Sequence, residues 1–393
     1  IKSSAASDVY KRQLKRCPMT EKKTIYRILA INPGSTSTKV GVYDNENCVF
    51  EAVTRHTREE LDACGGPGVY PQKDLRRSLV MRALEENSIP LGSLDATVGR
   101  AALLPPMRSG TYVINDDLIK AVPNPLPRPA LLGMILAKEI GDSLGIPSFI
   151  VDPATIDEFW PLSRVTGIPG IERKSSLHAL NQKAAARRAA KEIGKRYEES
   201  RLVVAHLGGG ISIGAHLLGQ VVDATSGGDG EGPFTPERAG FIPGRTLVNL
   251  CFSGEYTKEQ AENFFIRGGG IVAYLKTADM REVEKLMDEG NEQAKLLFDA
   301  MAYNVAKTIG AMSTVLYSSV DAIVLTGGLA YSERFCAAIT ERVSNIAKVL
   351  RYPGESELLS MVQGVLRVLN GDSIAEVFNV DSFDEHAANA AKD

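Results

Sequence analysis

Residues 26–43 read YRILAINPGSTSTKVGVY, in which two runs of strand-forming residues enclose a turn rich in hydroxyl groups. Residues 202–216 read LVVAHLGGGISIGAH and follow the same plan, with three glycines between two strand patterns. Turns of this composition offer backbone N–H groups and hydroxyls, and the first adds the ammonium group of Lys39, so both suit phosphate oxygens. One such hairpin in each half of the chain predicts a duplicated domain that closes on one nucleotide, which is typical of a phosphotransferase.

The composition of the 393 residues is that of a globular protein, with 44% hydrophobic and 24% charged residues. A formal net charge of −3 gives no case for binding nucleic acid or an anionic membrane surface, so phosphate chemistry must rely on a few local cations. No stretch approaches the roughly 18 consecutive apolar residues of a membrane span. The five cysteines are scattered and form no CxxC pair, which argues against disulfides or zinc and favours a cytoplasmic location.

The two ends of the chain stand apart from the strand and helix patterns between them. Residues 1–18 are basic but contain no apolar run, so they are not a secretory signal. Met19 is the expected natural start, and the residues before it are an upstream artefact or a disordered leader, with a basic targeting arm as the alternative. The polar tail beyond about Val380 is expected to be disordered. Between these ends, alternating strands and helices predict an α/β sheet protein.

Several familiar phosphate-binding motifs are absent. Neither hairpin reads GxxxxGK[ST], which excludes a P-loop. The glycines at 208–210 miss the GxGxxG spacing and lead into a strand, which disfavours a Rossmann site. The catalytic motifs of protein kinases do not occur in order.

Two arginines are candidates for contacting a transferred phosphoryl group. Arg100 follows a strand-like run at 96–99, and Arg238 ends the stretch DGEGPFTPER at 229–238. The planar guanidinium group fits phosphate and carboxylate oxygens alike, although a surface salt bridge is the ordinary role of either residue. The turn at 327–330 follows a buried strand pattern and could lie against an adenosine, but such glycine turns are also common joints between strands and helices.

Other candidates lie at the ends of predicted elements. Asp152 follows the strand pattern at 148–151, where an open α/β sheet places its ligands, yet an Asp before Pro is equally typical of a turn. His178 and His206 each lie at the edge of an element. A single histidine is more often structural than catalytic, and two at opposing edges of a cleft favour a catalytic role.

Six segments carry a family resemblance. They are ILAINPGSTSTK at 28–39, RKSSLHALN at 173–181, HLGGGIS at 206–212, DGEGPFTPER at 229–238, LTGGLAYS at 325–332 and YPGE at 352–355. In this order they resemble the acetate and butyrate kinase family of the actin-like sugar-kinase ATPase superfamily, along most of residues 25–370. The first segment is similar to butyrate kinases, whereas acetate kinases typically carry a Cys-Gly-Ser-Ser-Ser turn there. The second lacks the Phe-His-Gly-Thr-Ser-His of the acetate branch.

The resemblance implies an α/β fold of two duplicated actin-like (ribonuclease H-like) ATPase domains with a central cleft. Residues 1–23 would be a leader outside the fold. Residues 24–153 plus 366–381 would form the N-terminal domain, and residues 154–365 the C-terminal domain. The hinges are expected near Pro153 and Gly364.

The resemblance also implies roles for single residues. The predicted catalytic residues are Arg100, Arg238, His178 and Asp152. The predicted nucleotide and phosphate ligands are Asn32, Ser35, Ser37, Lys39, His206, Gly208, Gly209, Gly210, Gly327, Gly328, Leu329 and Ala330. Mg²⁺ would be held, partly through water, by Asn32, Asp152 and Glu355, and the acyl pocket would be lined by Ala102, Leu177 and Pro233.

The implied reaction is reversible transfer of a phosphoryl group from ATP to the carboxylate of butyrate or a branched short-chain acid. Butyrate kinases usually follow the first arginine with two glycines, and Ala101 and Ala102 stand here instead, which leaves the chain-length preference open. The alternatives are an acetate or propionate kinase of the same family and, in another class, an actin-like nucleotide switch. A homodimer or larger homo-oligomer is expected.

Overall fold

Two β-sheets organise the chain in this computed structural model, which describes residues 23–126, 128–226 and 229–379. The strands are β1 (Arg27–Pro33), β2 (Ser37–Asp44), β3 (Asn47–Arg55), β4 (Ala96–Gly99), β5 (Thr111–Val113), β6 (Ser148–Val151), β7 (Arg201–Leu207), β8 (Ile211–Leu217), β9 (Gln220–Ala224), β10 (Ala322–Gly327), β11 (Val349–Pro353) and β12 (Glu376–Val377).

The two sheets repeat one strand order. The first runs β12-β5-β6-β4-β1-β2-β3 and the second runs β11-β10-β7-β8-β9. In each, three successive antiparallel strands form a meander, and a later strand adds in parallel to its first member: β4 to β1, and β10 to β7. Both sequence hairpins therefore occupy equivalent places, and the duplication that they predicted is present.

Helices cover the sheets. They are α1 (Arg58–Asp62), α2 (Lys73–Glu86), α3 (Asp116–Lys120), α4 (Ala130–Leu144), α5 (Pro161–Arg164), α6 (Ala179–Glu192), α7 (Gly244–Cys251), α8 (Lys258–Ile266), α9 (Ile271–Leu275), α10 (Met280–Asp288), α11 (Glu292–Val315), α12 (Glu333–Val343) and α13 (Glu357–Leu369). Short 3₁₀ helices cover Tyr70–Gln72, Leu91–Ser93, Tyr197–Glu199 and Gly328–Tyr331. Within the part of the chain that the structure describes, no helix is both long and apolar enough to cross a bilayer.

The long helix α11 is amphipathic, and its apolar side chains recur along one face. The side chain of Asn291 caps it by accepting a hydrogen bond from the backbone N–H of Ala294. Phe298, Val305 and Ile309 recur at helical spacing and pack into the core of the second sheet. This helix therefore serves the core and not the site.

Two helices lie between the sheets and bring them together. Helix α13 packs on β1, β4 and β6 of the first sheet, and α6 packs on β7 and β10 of the second. They also contact each other, because Leu180 of α6 lies in one apolar cluster with Leu358 and Met361 of α13. The start of each helix therefore lies where the two halves of the protein meet.

The predicted boundary between residues 365 and 366 is wrong, because it divides α13. The helix is continuous and packs on the first sheet, with Leu358 and Val365 in the same cluster. Gly364 is not a hinge: a Cβ there would lie 2.4 Å from Cγ1 of Val151, so this glycine allows close packing against β6. The chain returns to the first half through residues 354–356, and we propose the division 24–153 plus 357–379 against 154–356.

Lys23, which the sequence placed in the leader, contacts the folded domain, since its Nζ lies 2.5 Å from Oδ1 of Asp95. The rest of the predicted leader, the expected start at Met19 and the expected disordered tail lie outside the described residues.

Candidate active site

Asn32 and Arg100 lie side by side at the carboxyl edge of the first sheet. Asn32 is the next-to-last residue of β1, and Arg100 directly follows β4, the parallel neighbour of β1. The backbone N–H of Arg100 donates to the carbonyl of Ile31 at 2.9 Å. The preceding glycine lets helix α4 lie directly against the end of β4, because a Cβ on Gly99 would lie 2.0 Å from the carbonyl oxygen of Gly133 in α4. Parallel strands thus bring an amide and a guanidinium group to the edge where such sheets bind ligands.

Glu357 joins these two side chains. Its Oε2 accepts a hydrogen bond from Nδ2 of Asn32 at 2.5 Å, and its Oε1 lies 3.4 Å from Nε of Arg100. Nη1 of Arg100 is buried and has no hydrogen-bond partner among the described residues. Sequence reasoning missed Glu357, because an acidic residue in the first turn of a helix is ordinarily explained by the helix dipole.

The first hairpin is supported from behind by a buried arginine. Ser35 and Lys39 are exposed, while the backbone N–H of Gly34 closes the turn on the carbonyl of Ser37 at 2.7 Å. Nη1 of Arg76 donates to that same carbonyl and to Oγ1 of Thr38, both at 2.9 Å. Arg76 was also missed, since an arginine inside a helical pattern carries no signal of this contact.

The second hairpin lies against the other predicted arginine. A Cβ on Gly210 would lie 2.7 Å from Nη1 of Arg238, so the glycine lets the guanidinium group approach the backbone. Oγ1 of Thr235 donates to the carbonyl of Gly209 at 2.6 Å and ties the arginine's loop to the hairpin. Burial lowers the pKa of Arg238, with Arg128 and Arg267 as further repulsive charges.

His178 and His206 form a stacked pair whose ring centres are 3.9 Å apart and whose planes differ by 10°. Burial, together with the charges of Arg238 and Arg100, lowers the pKa of His178 to about 4. Burial also holds the pKa of His206 well below its usual value, together with His178 and Arg100. Both rings are therefore neutral at pH 7. Arg100 lies close enough to act on both of them, and Arg238 acts on His178.

Glu355 links the two halves of the site. Its Oε1 lies 3.5 Å from Nε2 of His206. Enclosure of the carboxyl group and repulsion by Glu357 raise its pKa, while Lys39 and Arg100 oppose that rise. Lys39 of the first hairpin and His206 of the second therefore face the same carboxylate.

A cavity of about 630 Å³ opens beside this carboxylate. Its walls include Lys39, Gly328, Glu355 and Glu357. Gly328 belongs to the turn that sequence analysis predicted to line an adenosine pocket. Ala330 of the same turn is fully buried in the core of the second sheet, so its predicted contact with adenosine is wrong.

Asp152 lies apart from this cluster. Its side chain is 0% exposed, its Oδ1 accepts from the backbone N–H of Gly110 at 2.9 Å and its Oδ2 accepts from Nη1 of Arg187 at 3.0 Å. Burial opposes ionisation, but Arg187, Lys183 and Arg367 keep the pKa of this carboxyl below its usual value. Because both oxygens are occupied and sealed, the structure contradicts the predicted roles of Asp152 as a catalytic residue and a magnesium ligand.

The three residues predicted to line the acyl pocket lie in different surroundings. Leu177 packs in an apolar cluster with Ile156 and Phe159, Pro233 is buried, and Ala102 is half-buried. The pocket stays a prediction.

The neutral state of His178 predicts a loss of stability in acid. The folded pKa is about 4 and the unfolded value about 6.5, so the unfolded chain takes up the proton first as the pH falls. The contribution is fully present above pH 6.5 and is lost progressively toward pH 4, by about 2–3 kcal/mol. Urea unfolding measures this for the wild type and for His178→Gln between about pH 7 and pH 4. As the pH falls, the free energy of unfolding of the wild type should decrease relative to that of the variant. Parallel curves would contradict the assignment.

The duplicated sheets, the paired hairpins and the converging cations define the class as a phosphotransferase of the actin-like fold. The profile of the Acetokinase family matches residues 166–376. The chain is 46% identical over 356 residues to butyrate kinase 1 of Clostridium acetobutylicum, across 90% of this chain and 100% of that protein. It is 45% identical over 355 residues to a probable butyrate kinase of Clostridium botulinum, across 90% and 99%. The chain belongs to the acetokinase family.

Solved structures agree on the fold. The chain matches the acetate kinase of Porphyromonas gingivalis with a TM-score of 0.75 at 18% identity, over 87% of this chain and 99% of that one. It matches a propionate kinase of Francisella tularensis with a TM-score of 0.68 at 20% identity, over 86% and 98%. The predicted family, fold class and enzyme class are confirmed: the protein is an ATP-dependent carboxylate kinase.

Proposed function

We propose that the protein transfers the γ-phosphoryl group of ATP to the carboxylate of butyrate or a branched short-chain acid, reversibly, giving an acyl phosphate and ADP. The observation that carries this proposal is the buried Nη1 of Arg100, which no residue in the described part of the chain pairs, beside Glu357 and the histidine pair. An unpaired guanidinium nitrogen is unfavourable in a buried site, and an anion supplies the missing partner. The identity to two proteins named as butyrate kinases supports the choice of acid.

The chemistry requires alignment and neutralisation of charge. A carboxylate is already a nucleophile, so the transfer needs no general base and can proceed directly in line. We propose that Arg100 and Arg238 neutralise the oxygens of the acyl and phosphoryl groups and that His178 donates a hydrogen bond to the phosphoryl group. Lys39 and the backbone of the two hairpins would hold the nucleotide phosphates.

The residues around Glu355 fit a magnesium ion. Glu355 and Glu357 repel each other, and the amide of Asn32 uses its Nδ2 to bind Glu357, while its oxygen has no hydrogen-bond partner among the described residues. Carboxylate and amide oxygens are the ligands that Mg²⁺ prefers, often through water. We propose that Asn32 and Glu355 hold the ion with Glu357 in place of Asp152; when bound, it would supply positive charge at the nucleotide phosphates. Among the described residues, no three His, Cys, Asp or Glu side chains alone form a metal cluster.

Chain-length preference is tested by comparing substrates. If Ala102, Leu177 and Pro233 line an apolar pocket, each methylene contributes roughly 1–3 kcal/mol, so C3 to C5 acids should overlap. Trapping the acyl phosphate with hydroxylamine should give a kcat/KM for butyrate or isobutyrate roughly 10-fold or more above that for acetate. A preference for acetate or propionate would overturn the proposal in favour of that alternative, and slow ATP turnover indifferent to any acid would favour a nucleotide switch.

We also propose that the protein associates as a homodimer or larger homo-oligomer. Helix α7 has no buried residue, and Val248 and Phe252, which are four residues apart and so lie on one face of it, are 55% and 85% exposed. Apolar groups gathered on a surface in this way are typical of association sites. Sedimentation should give an oligomer that Phe252→Asp weakens, and a wild-type monomer at all concentrations would contradict the proposal.

A further inference from the structure

We propose that Asn181 and Gln182, consecutive residues at the start of α6, hold the stacked histidines in opposite neutral tautomers. His178 then presents an N–H donor at Nε2, and His206 presents a lone pair at Nε2. Asn181 and Gln182 are positioning residues in this proposal, because they act through the rings. Their part in phosphoryl transfer rests on the proposed function, whereas the tautomers themselves follow from the hydrogen bonds below.

The amide of Gln182 can be oriented in only one way. One of its ends lies 3.0 Å from the backbone carbonyl oxygen of Ser212, which can only accept, so that end is the NH₂ group. Its other end, Oε1, lies 3.0 Å from Nε2 of His216 and can only accept, so Nε2 of His216 carries a proton. Nδ1 of His216 then accepts from the hydroxyl of Tyr197 at 2.9 Å. All the groups of this buried chain are satisfied.

The hydroxyl of Ser212 connects Gln182 to His178, and its hydrogen bonds determine which ring nitrogen of His178 carries the proton. Its Oγ accepts from Nε2 of Gln182 at 2.8 Å and from the backbone N–H of His178 at 3.3 Å, which uses both lone pairs. Its single proton is left for Nδ1 of His178, at 2.8 Å. If Nδ1 carried the proton instead, Oγ would face three donors and its own proton would have no partner in a fully buried site. His178 therefore carries its proton at Nε2.

That Nε2 is available to a ligand. It has no hydrogen-bond partner among the described residues, and it is not one of their buried unpaired atoms, so it reaches the cleft. Arg100 and Arg238 are the charges that act most strongly on this ring. An N–H donor beside two guanidinium groups suits the oxygens of a phosphoryl group.

Asn181 holds His206 in the opposite tautomer, with the proton at Nδ1. Its Nδ2 lies 3.2 Å from the carbonyl oxygen of Glu355 and 3.5 Å from that of Gly354, and both can only accept. Its Oδ1 therefore accepts from Nδ1–H of His206 at 2.7 Å. Nε2 of the neutral ring is then a lone pair, 3.5 Å from Oε1 of Glu355. An acceptor there suits a donor such as a water molecule and repels a phosphate oxygen, so the two rings differ in what they can bind.

The test is ¹⁵N spectroscopy of histidine rings in the full chain, which has only five histidines. Long-range ¹H–¹⁵N correlation distinguishes the two neutral tautomers, and His178→Gln and His206→Gln assign the signals. At neutral pH we expect His178 as the Nε2–H tautomer and His206 as the Nδ1–H tautomer. The same tautomer at both rings, or a charged His178, overturns the proposal. This readout does not depend on which acid is phosphorylated, so its failure is distinguishable from failure of the proposed function.

A variant tests the transmission from Gln182. In Gln182→Glu the carboxylate cannot donate to Ser212, so the serine proton turns to it and His178 should shift toward the Nδ1–H tautomer. We expect kcat to fall about 10- to 100-fold, as for other residues that orient a site group, with KM for ATP changed less than about threefold. Gln260→Glu, the same change at an exposed N3 position of α8, should alter neither. A Gln182→Glu enzyme with an unchanged His178 spectrum contradicts the transmission, and the wild-type spectrum decides the tautomers if the variant does not fold.

Discussion

Replacing Arg100 with methionine should lower kcat for acyl phosphate formation on the order of 10³-fold or more, as removal of an arginine finger does in other phosphoryl transfers. The guanidinium group lies 3.4 Å from Glu357, and its Nη1 has no described protein partner, so its free hydrogen-bonding capacity points to the substrate. Methionine keeps the volume and apolar packing but removes charge and donors. Hydroxamate trapping at saturating ATP and acid measures the effect.

Two further variants make this result interpretable. Arg100→Lys keeps the positive charge without the planar fork and should recover only part of the rate. Arg108→Met changes an exposed arginine in the segment that follows and should leave kcat unchanged. Near-normal turnover in a folded Arg100→Met protein would refute the role of Arg100 and, with it, the observation that carries the proposed function.

Replacing Lys183 with methionine should lower the free energy of unfolding by about 3–5 kcal/mol, the usual result of removing one partner of a buried ion pair. The side chains of Lys183 and Glu158 are 0% and 6% exposed, and Nζ lies 2.8 Å from Oε2 of the glutamate. Nζ also donates to Oγ of Ser109 at 2.6 Å and to the carbonyl of Gly219 at 2.9 Å. The change leaves a buried carboxylate without its cation.

Urea unfolding of three proteins tests this prediction. Lys191→Met, on the exposed side of the same helix, should change the free energy of unfolding by less than about 0.5 kcal/mol. The double variant Lys183→Met with Glu158→Gln should recover part of the loss, because it removes the unpaired charge. A loss below about 1 kcal/mol in the single variant would show that water or a rearrangement satisfies Glu158.

Sequence reasoning succeeded where the signal is local. The strands on either side of residues 34–36 and 208–210 follow from alternating apolar residues, and the helix from Glu292 to Val315 follows from its apolar stripe. Arg100 and Arg238 could be selected because few residue types can neutralise a phosphoryl group. The predicted domain boundary is wrong because α13 begins directly after residues 354–356, where the chain returns to the first half. The apolar face of this helix does not indicate which sheet it covers.

In the site, too, residues with a local signal could be predicted, and those whose role depends on distant contacts could not. Asp152 was selected for its place at the end of a strand, and only the fold reveals that Arg187 and Gly110 occupy its carboxylate. Glu357 and Arg76 were missed, because their partners are more than 30 residues away along the chain. The acyl pocket of Ala102, Leu177 and Pro233 stays a prediction, since an apolar side chain follows the same sequence pattern in a core and in a pocket.

The amino-acid sequence by itself determined the elements and their duplication, because backbone hydrogen bonding and apolar periodicity act over a few residues. It also determined which residue types are available for phosphate chemistry. Only the tertiary structure decided which of them meet: it placed Glu355 and Glu357 beside Asn32, His206 and Arg100 and removed Asp152 to an internal ion pair. The tertiary structure also decides the tautomers of the two histidines. The position of the proton depends on the donors and acceptors that packing brings within roughly 3 Å of each ring nitrogen.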